Sequence, residues 1–332
     1  MPDFEVREVD VHDEAELHRW WQAGHDAMAG RPFDLFPSWE NGRAVLPTPH
    51  GDFDQVLLAV QQGDAVVGVA MSVLPVADNL TMSYAEVMVP PEHRRRGIGS
   101  ALLAAVEQRA RDAGRAYVVV EVPSPLGAVG PGELFAEARG YPVGNREGIK
   151  LLDLADHPDW SALAERATAR GGGYTVEEWG DRTPHQHAQQ LCDTLNQFVG
   201  MIPTGDLALE NIALDPERLR RNEERAAALG RRRFCAAAFA PDGTMAGYTD
   251  LWLPPHERRF AEIGITMVLP EHRGHALGLR LKLATHAALV ATAPECGVVT
   301  TNNADVNQHM NAVNEQLGYR LVEQLLEVQK TL

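Results

Sequence analysis

A strand, a tight turn and a helix occur twice in this chain with nearly the same residues. The first copy runs Val87-Met88-Val89, Pro90-Pro91-Glu92-His93, Arg94-Arg95-Arg96-Gly97-Ile98-Gly99-Ser100, then a helical run to Ala113. The second runs Met267-Val268-Leu269, Pro270-Glu271-His272, Arg273-Gly274-His275-Ala276-Leu277-Gly278. Aligning the two Pro-Glu-His-Arg tetrads sets Arg94 against Arg273, Gly97 against Ala276 and Gly99 against Gly278. One Gly-x-Gly is weak evidence, but repetition in matching contexts implies two like-folded units. Glycine lets a backbone approach a ligand with no Cβ in the way. The first N–H groups of a helix lack intrahelical partners, and the helix dipole adds about half a positive charge there. Both stretches therefore read as cradles for an anion of the phosphate kind.

A length of 332 residues suits two domains. The N-terminus, Met1-Pro2-Asp3-Phe4-Glu5, is acidic and carries no apolar signal segment. No run reaches the roughly 20 apolar residues of a membrane span. Cys192, Cys235 and Cys296 are scattered without metal-like spacing, as expected of reduced, buried thiols in a cytoplasmic protein. A formal charge of −16 argues against nucleic acid, whose binding needs clustered Lys and Arg, and is compatible with a cationic amine. The charge alone leaves a small-molecule amine as one compatible partner, and nothing in the sequence points to nucleic acid, membrane or metal. Two like units in one chain suit an internal pseudo-dimer, monomeric or paired as a homodimer.

In chain order, alternation marks a strand from Phe4 to Val9, and an amphipathic helix fits Asp13 to Met28. Residues Arg31 to Gly51, rich in Pro, Gly and aromatics, read as an irregular loop, either substrate-facing or packed by its own rings. Gly63-Asp64 joins a hairpin, Thr81 to Val89 feeds the first cradle, and Gly114 closes its helix as a C′ glycine. The triple glycine Gly171-Gly172-Gly173 marks a boundary. The second half then repeats the order: a strand at Tyr174 to Trp179, helices at Gln186 to Val199 and Asp206 to Leu229, a hairpin about Asp242-Gly243, and Phe260 to Val268 into the second cradle. The reading is α+β: residues 1–157 and 174–332 as two domains, 158–173 as linker, each domain a mixed, mostly antiparallel sheet with flanking helices.

The strand followed by Arg-x-x-Gly/Ala-x-Gly/Ala and a helix resembles the acyl-CoA motif of the GNAT superfamily of N-acetyltransferases, in a tandem, two-copy layout. Arg94 to Gly99 fits without departure, and Arg273 to Gly278 fits with Ala276 in the first small position. In the second half, Asn302-Asn303, Asn307, Met310, Asn314 and Leu317-Gly318-Tyr319 are similar to the family's late helix. The resemblance implies acetyl transfer from acetyl-CoA to an amine. It places the pyrophosphate on the turns Arg94, Arg95, Arg96, Gly97, Ile98, Gly99, Ser100 and Arg273, Gly274, His275, Ala276, Leu277, Gly278. It lays the pantetheine arm along Val87, Met88, Val89 and Met267, Val268, on a strand splayed from its neighbour, and brings Asn307 to that arm.

An ammonium acceptor must lose a proton before it can attack, so the chemistry needs a base. The resemblance assigns that role to a glutamate six positions before the cradle strand's last valine. That position is Glu262 in the second half and Ser83 in the first. Glu86 lies three positions off, on the opposite face of an unbulged strand. The family's acid tyrosine is replaced by Asn314 and by Ala136, and water or Tyr248 is left to serve. The expectation is a catalytic second half using Glu262 and a first half that binds CoA structurally. A non-catalytic acyl-CoA-binding protein and a peptide N-acetyltransferase are the competing readings.

Overall fold

The computed structural model describes residues 4–257 and 259–332. Two compact units divide the chain: unit 1 is Met1–Glu147, Thr204–Glu210 and Glu323–Leu332, and unit 2 is Gly148–Pro203 and Asn211–Val322.

Unit 1 opens with β1 (Val6–Glu8) and α1 (Glu14–Ala27), whose Asp13 cap accepts from the N–H groups of Ala15 and Glu16. Next come α2 (Trp39–Val45), β2 (Phe53–Gln62), β3 (Ala65–Pro75), β4 (Met82–Met88), α3 (Ile98–Asp112), β5 (Tyr117–Ser124) and α4 (Pro131–Ala138). β6 (Val143–Asp153) passes from unit 1 into unit 2. The strands β1 to β4 pair antiparallel in sequence, and β4 pairs parallel with β5. The outer edge of β5 is covered by the end of the chain, where Gln324 to Thr331 run antiparallel to it. A strand edge leaves N–H and C=O groups without partners, and here the last ten residues supply them. Leu326 and Val328 thereby enter the core with Val118, Val120, Ile98, Leu102 and Val106 on the α3 face. The opposite face packs Leu17, Trp20 and Ala23 of α1 against Leu57, Val69 and Met88.

Unit 2 holds α5 (Trp160–Ala169), β7 (Thr175–Trp179), α6 (Ala188–Leu195), α7 (Pro216–Ala228), β8 (Arg232–Phe239), β9 (Met245–Leu253), β10 (Phe260–Val268), α8 (Leu277–Thr292), β11 (Val298–Ala304) and α9 (Gln308–Leu317). β12 (Arg320–Thr331) begins there and ends in unit 1. β7 to β10 are antiparallel neighbours, and β10 pairs parallel with β11. Ala261, Ile263, Leu279, Leu283 and Val299 pack on the α8 face. Leu191, Leu195, Leu219, Tyr248 and Met267 pack on the α6 face.

Three sequence expectations change. The contiguous cut at 157 and 174 gives way to interleaved segments, and 158–173 is not a linker: Leu163 and Ala167 of α5 are buried in unit 2's core. The stretch Arg31–Gly51 contains α2, started by Ser38, whose hydroxyl accepts from the Asn41 N–H. Residues 206–215 are not helical, because Asp215 caps a helix that begins at Pro216. Ahead of that cap, Leu207 packs on Met82 and Val119 in unit 1.

Candidate active site

The two cradles share one backbone. In unit 1, Arg95 and Gly97 have φ of +63° and +96°; in unit 2, Gly274 and Ala276 have +87° and +54°. Each turn therefore takes two left-handed residues at the same two positions, and each fills one of them with glycine. That conformation costs a non-glycine residue of order 1 kcal/mol. The turn aims the N–H groups of Gly97, Ile98 and Gly99, and likewise of Ala276, Leu277 and Gly278, at no acceptor among the described residues. These are the groups an anion would meet, so the cradles fit a pyrophosphate.

The side chains around the turns divide in role. Arg94 is a clamp: its guanidinium donates to the carbonyls of Val89 (2.9 Å) and Ala27 (3.0 Å), tying the turn to β4 and α1. Arg273 repeats the first of these bonds more loosely, at 3.4 Å to Val268. Arg95 and Arg96 are exposed, and Arg96 reaches the Glu92 carbonyl at 2.9 Å. Ile98 and Leu277 are buried and contribute only backbone. The Ser100 hydroxyl is paired with Arg139, and the His275 ring lies 4.8 Å from that of Tyr174.

Both cradle strands open where the resemblance implies. β4 pairs with β5 from Met82 to Ala85 and then parts from it; β10 pairs with β11 from Phe260 to Glu262 and then parts from it. The freed stretches are Glu86 to Val89 and Ile263 to Val268, which include Val87, Met88 and Val89 and Met267 and Val268. Their outward backbone groups are available to an extended chain such as a pantetheine arm.

The strands differ by one residue. β4 meets β3 in unbroken register, whereas β10 carries a bulge against β9 between Ile263 and Thr266. Val69 opposes Met88, and Tyr248 opposes Met267; Val73 opposes Tyr84, and Trp252 opposes Glu262. Glu262 is therefore the counterpart of Tyr84, not of Ser83, and the bulge turns it to the α6 face. Ser83 is fully buried with Ala85 and Val87 toward α3, while Glu86 shares the α1 face with Met88.

Glu262 is open to solvent, yet desolvation by surrounding protein raises its pKa, opposed by Arg231 and reinforced by Asp250. Its side chain forms no hydrogen bond or ion pair among the described residues. Asp250 is buried opposite the bulge. It accepts from the Ile265 N–H at 2.8 Å, from the Tyr248 hydroxyl at 3.3 Å and from Trp252, and desolvation again raises its pKa. Tyr248 is fully buried against Cys235 and Asp250, its pKa far above the usual value through desolvation, so it is a poor stand-in acid. In unit 1, Glu86 is half-buried without a partner among the described residues, and desolvation raises its pKa against the pull of Arg31.

The late asparagines are committed to one another. Asn307 caps α9, accepting from the Met310 N–H at 3.2 Å. Asn303 on β11 donates to Asn311 (2.8 Å) and accepts from Asn314 (2.9 Å) and Lys150 (3.1 Å). Asn314 accepts from Lys282 at 2.6 Å. Lys282 is fully buried, and desolvation together with Lys150 brings its pKa down to about 7. Sequence reasoning missed Asp250, Trp252, Arg231 and Lys282. An acid in Tyr248-Thr249-Asp250-Leu251-Trp252, otherwise a buried strand, was the available signal. Among the described residues, no group of three or more His, Cys, Asp and Glu could hold a metal ion, and no helix is long and apolar enough to cross a membrane.

Residues 15–128 match the acetyltransferase (GNAT) family profile. No curated protein matches the chain in sequence. Among solved structures, a tandem GNAT protein from the clavulanic acid biosynthesis pathway is 27% identical, with a TM-score of 0.81 over 99% of this chain and 98% of that one. A GCN5-related N-acetyltransferase from Sphaerobacter thermophilus is 17% identical, with a TM-score of 0.68 over 100% and 96%. Saccharomyces cerevisiae N-myristoyltransferase, solved with bound myristoyl-CoA, is 12% identical, with a TM-score of 0.61 over 100% and 80%, a likeness of fold alone.

Proposed function

Because the chain is a tandem GNAT-fold protein whose residues 15–128 match the GNAT acetyltransferase family, we propose that it transfers an acetyl group from acetyl-CoA to a small primary amine, with the chemistry in unit 2. One observation carries the reading: each parallel strand pair opens just ahead of a turn whose N–H groups have no protein acceptor among the described residues. Acetyl-CoA supplies a thioester with a good leaving group. The turns hold its pyrophosphate, and the freed strand stretches align its arm and offer a backbone N–H to the carbonyl oxygen. Glu262, directly or through one water, takes the proton from the acceptor's ammonium. A carboxylate with a raised pKa is the stronger base, and general bases work best near the operating pH. Water rather than a tyrosine returns a proton to the thiolate, since Asn314 and Ala136 stand where that acid would be.

Unit 2 is favoured over unit 1 by exposure. Glu262 is open to solvent, whereas its counterpart Tyr84 is half-buried against the cluster of Met82, Val119 and Leu207. A second reading, transfer in unit 1 with Glu86 as base, is supported by that residue's unpaired position at the opening. CoA release from acetyl-CoA across a panel of amines decides among them, run on the parent, Gly97→Glu and Gly278→Glu. We expect both variants to bind acetyl-CoA more weakly by calorimetry and only Gly278→Glu to abolish release. Release that survives Gly278→Glu but not Gly97→Glu moves the chemistry to unit 1. Binding without release for any amine leaves a non-catalytic acyl-CoA-binding protein.

A further inference from the structure

We propose that the side-chain cluster of Glu262, Trp252 and Arg231 takes an acceptor that carries a carboxylate as well as an amine, that is, a free amino acid or a similar amino-carboxylate. The proposal rests on the acetyltransferase reading of unit 2 and narrows its substrate class.

Arg231, Arg233, Asp250, Trp252 and Glu262 gather on the α6 face: Arg231 from the residue before β8, Arg233 from β8, the next two from β9 and the last from β10. Across the strands, Arg233 opposes Trp252, and Trp252 opposes Glu262. The indole is the centre of the group. Asp250 holds it by hydrogen bond, and the bulge glycine makes room for it: a Cβ on Gly264 would lie 2.9 Å from the indole nitrogen and 2.5 Å from the Asp250 carboxylate.

The two arginines that flank the indole differ in what they have left to give. Arg233 is out of a ligand's reach: it is buried and its Nη2 already donates to Glu223 (2.6 Å), to the Thr183 hydroxyl (3.1 Å) and to the Asp181 carbonyl (3.2 Å), while its Nε is buried without a partner. Arg231 is half-buried, its guanidinium carbon 4.8 Å from the centre of the Trp252 ring, and its side chain makes no hydrogen bond or ion pair among the described residues. Stacking on the ring leaves the edge of the guanidinium fork free, which is the edge that grips a carboxylate with two parallel bonds.

Glu262 is likewise unpaired. Two opposite charges that feel each other yet remain apart, one on a ring and one across it, present a matched pair of vacancies for a ligand of both signs. Burial disfavours the charged form of each, lowering the pKa of Arg231 and raising that of Glu262, so each gains when a ligand brings the counter-charge. A purely cationic amine would satisfy Glu262 and leave its chain against an unpaired guanidinium. The strongly acidic composition of the chain therefore misleads about this cluster, which is not of one sign.

The test compares CoA release with free amino acids and with the amine each gives on losing its carboxylate: serine with ethanolamine, histidine with histamine, tyrosine with tyramine, arginine with agmatine, lysine with cadaverine. The parent is expected to favour the amino-acid member of the pairs it accepts. Arg231→Gln, which keeps side-chain bulk and removes the charge, should cut that preference about ten- to hundredfold, chiefly through KM. Arg231→Lys should restore part of it, since it keeps the charge without the fork. Equal use of both members by the parent, or an Arg231→Gln variant with the preference intact, overturns the proposal and leaves the acetyltransferase reading standing. Absence of release with every member of both classes defeats that reading itself, and this proposal with it.

Discussion

Laid strand on strand, the two units agree over long stretches and part at one residue. Gly68 and Gly247 both oppose the cradle strand just beside its last valine, and a Cβ at either would collide, with Ile98 at 2.4 Å or with the Met267 carbonyl at 2.6 Å. Tyr141 donates to Glu107 at 3.1 Å in unit 1, and Tyr319 meets His286 at 2.7 Å at the matching positions of unit 2. Then β10 inserts a residue at its bulge and β4 does not. The insertion exchanges the faces of everything before it. It brings Glu262 to the place of Tyr84, and it leaves Asp250, opposite the bulge, at the level of Glu86. Each unit thus sets a carboxylate with a raised pKa at the mouth of the opening, from a different strand. Glu262 is a further one, about 7 Å from that level by strand rise. The comparison teaches that positional equivalence in a repeat follows register rather than sequence offset.

The largest expected effect breaks the comparison at its carboxylates. Glu262→Gln should lower kcat/KM for acetyl transfer by about 10²–10⁴, the usual range for a general base. Glu86→Gln should change it by no more than a few-fold. The reverse ranking would put the transfer in unit 1. The pH profile carries the same distinction with a definite sign. Glu262 accepts a proton only when ionised, and its pKa is raised by desolvation. The parent's rate should therefore climb with pH through a midpoint above the ordinary glutamate value, and the Glu262→Gln variant should lack that limb.

The second effect concerns the floor beneath the late helix. Lys282 and Asn314 in unit 2 stand where unit 1 has Leu103 and Ala136, both buried in its apolar core. Unit 2 places a buried ammonium where unit 1 places a methyl-lined contact. The pKa of Lys282, about 7 when folded, lies below the 10.5 of an ordinary lysine. Unfolding then takes up a proton between those values, so the fold bears the full penalty below pH 7 and is relieved of it as pH rises toward 10.5. His286 stays neutral alongside, its pKa brought down to about 3 by desolvation and the lysine. Lys282→Leu with Asn314→Ala should stabilise the protein by about 1–4 kcal/mol at pH 6 and by less at pH 9.5, measured by urea unfolding. A gain that does not shrink with pH would mean that the lysine is not the charged group at issue.

These contrasts also mark how far the sequence was legible. The cradles could be read because their left-handed positions and helix starts are local: Gly97, Gly99, Gly274 and Gly278 announce them. The helix stops at Gly114, Gly140 and Gly318 are local too, and all three have positive φ. The GNAT resemblance, with the tandem layout, follows from the same short stretches. What escaped is set by pairing at a distance. No periodicity in Phe260 to Val268 shows that Gly264 and Ile265 together oppose Asp250, because a bulge is defined only against β9. Nothing in Gln324 to Thr331 states that it will cover the edge of β5, and nothing local in Asp206 to Glu210 shows that Leu207 will pack on Met82. Asp250 and Arg231 became visible only when three strands brought them around Trp252.

The third effect tests the bulge itself. Gly264→Ala sets a methyl against the Asp250 carboxylate and the Trp252 indole, at 2.5 and 2.9 Å before relaxation. Overpacking of this kind costs about 1–3 kcal/mol. If the indole shapes the acceptor side, the variant's KM for the amine should rise while its affinity for acetyl-CoA by calorimetry stays near that of the parent. Equal losses in both would make the bulge a general scaffold of unit 2 rather than part of its acceptor side.

The smallest effect sharpens the comparison where the units look most alike. The two cradles hold the same left-handed geometry with opposite choices: glycine at 97 against alanine at 276, arginine at 95 against glycine at 274. Adding a Cβ at Gly97 meets nothing closer than Phe4 at 3.5 Å, so the expected penalty is conformational and not steric. Gly97→Ala should therefore destabilise by about 1 kcal/mol, and Ala276→Gly should relieve a similar strain, less what glycine adds to the entropy of the unfolded chain. Thermal unfolding of the two variants should shift in opposite directions, the first down and the second slightly up. Acetyl-CoA affinity should hold in both, since the helix N–H groups offered to a phosphate are unchanged. Shifts of the same sign would show that one turn relaxes to another backbone in solution, and that the cradles are alike in sequence more than in shape.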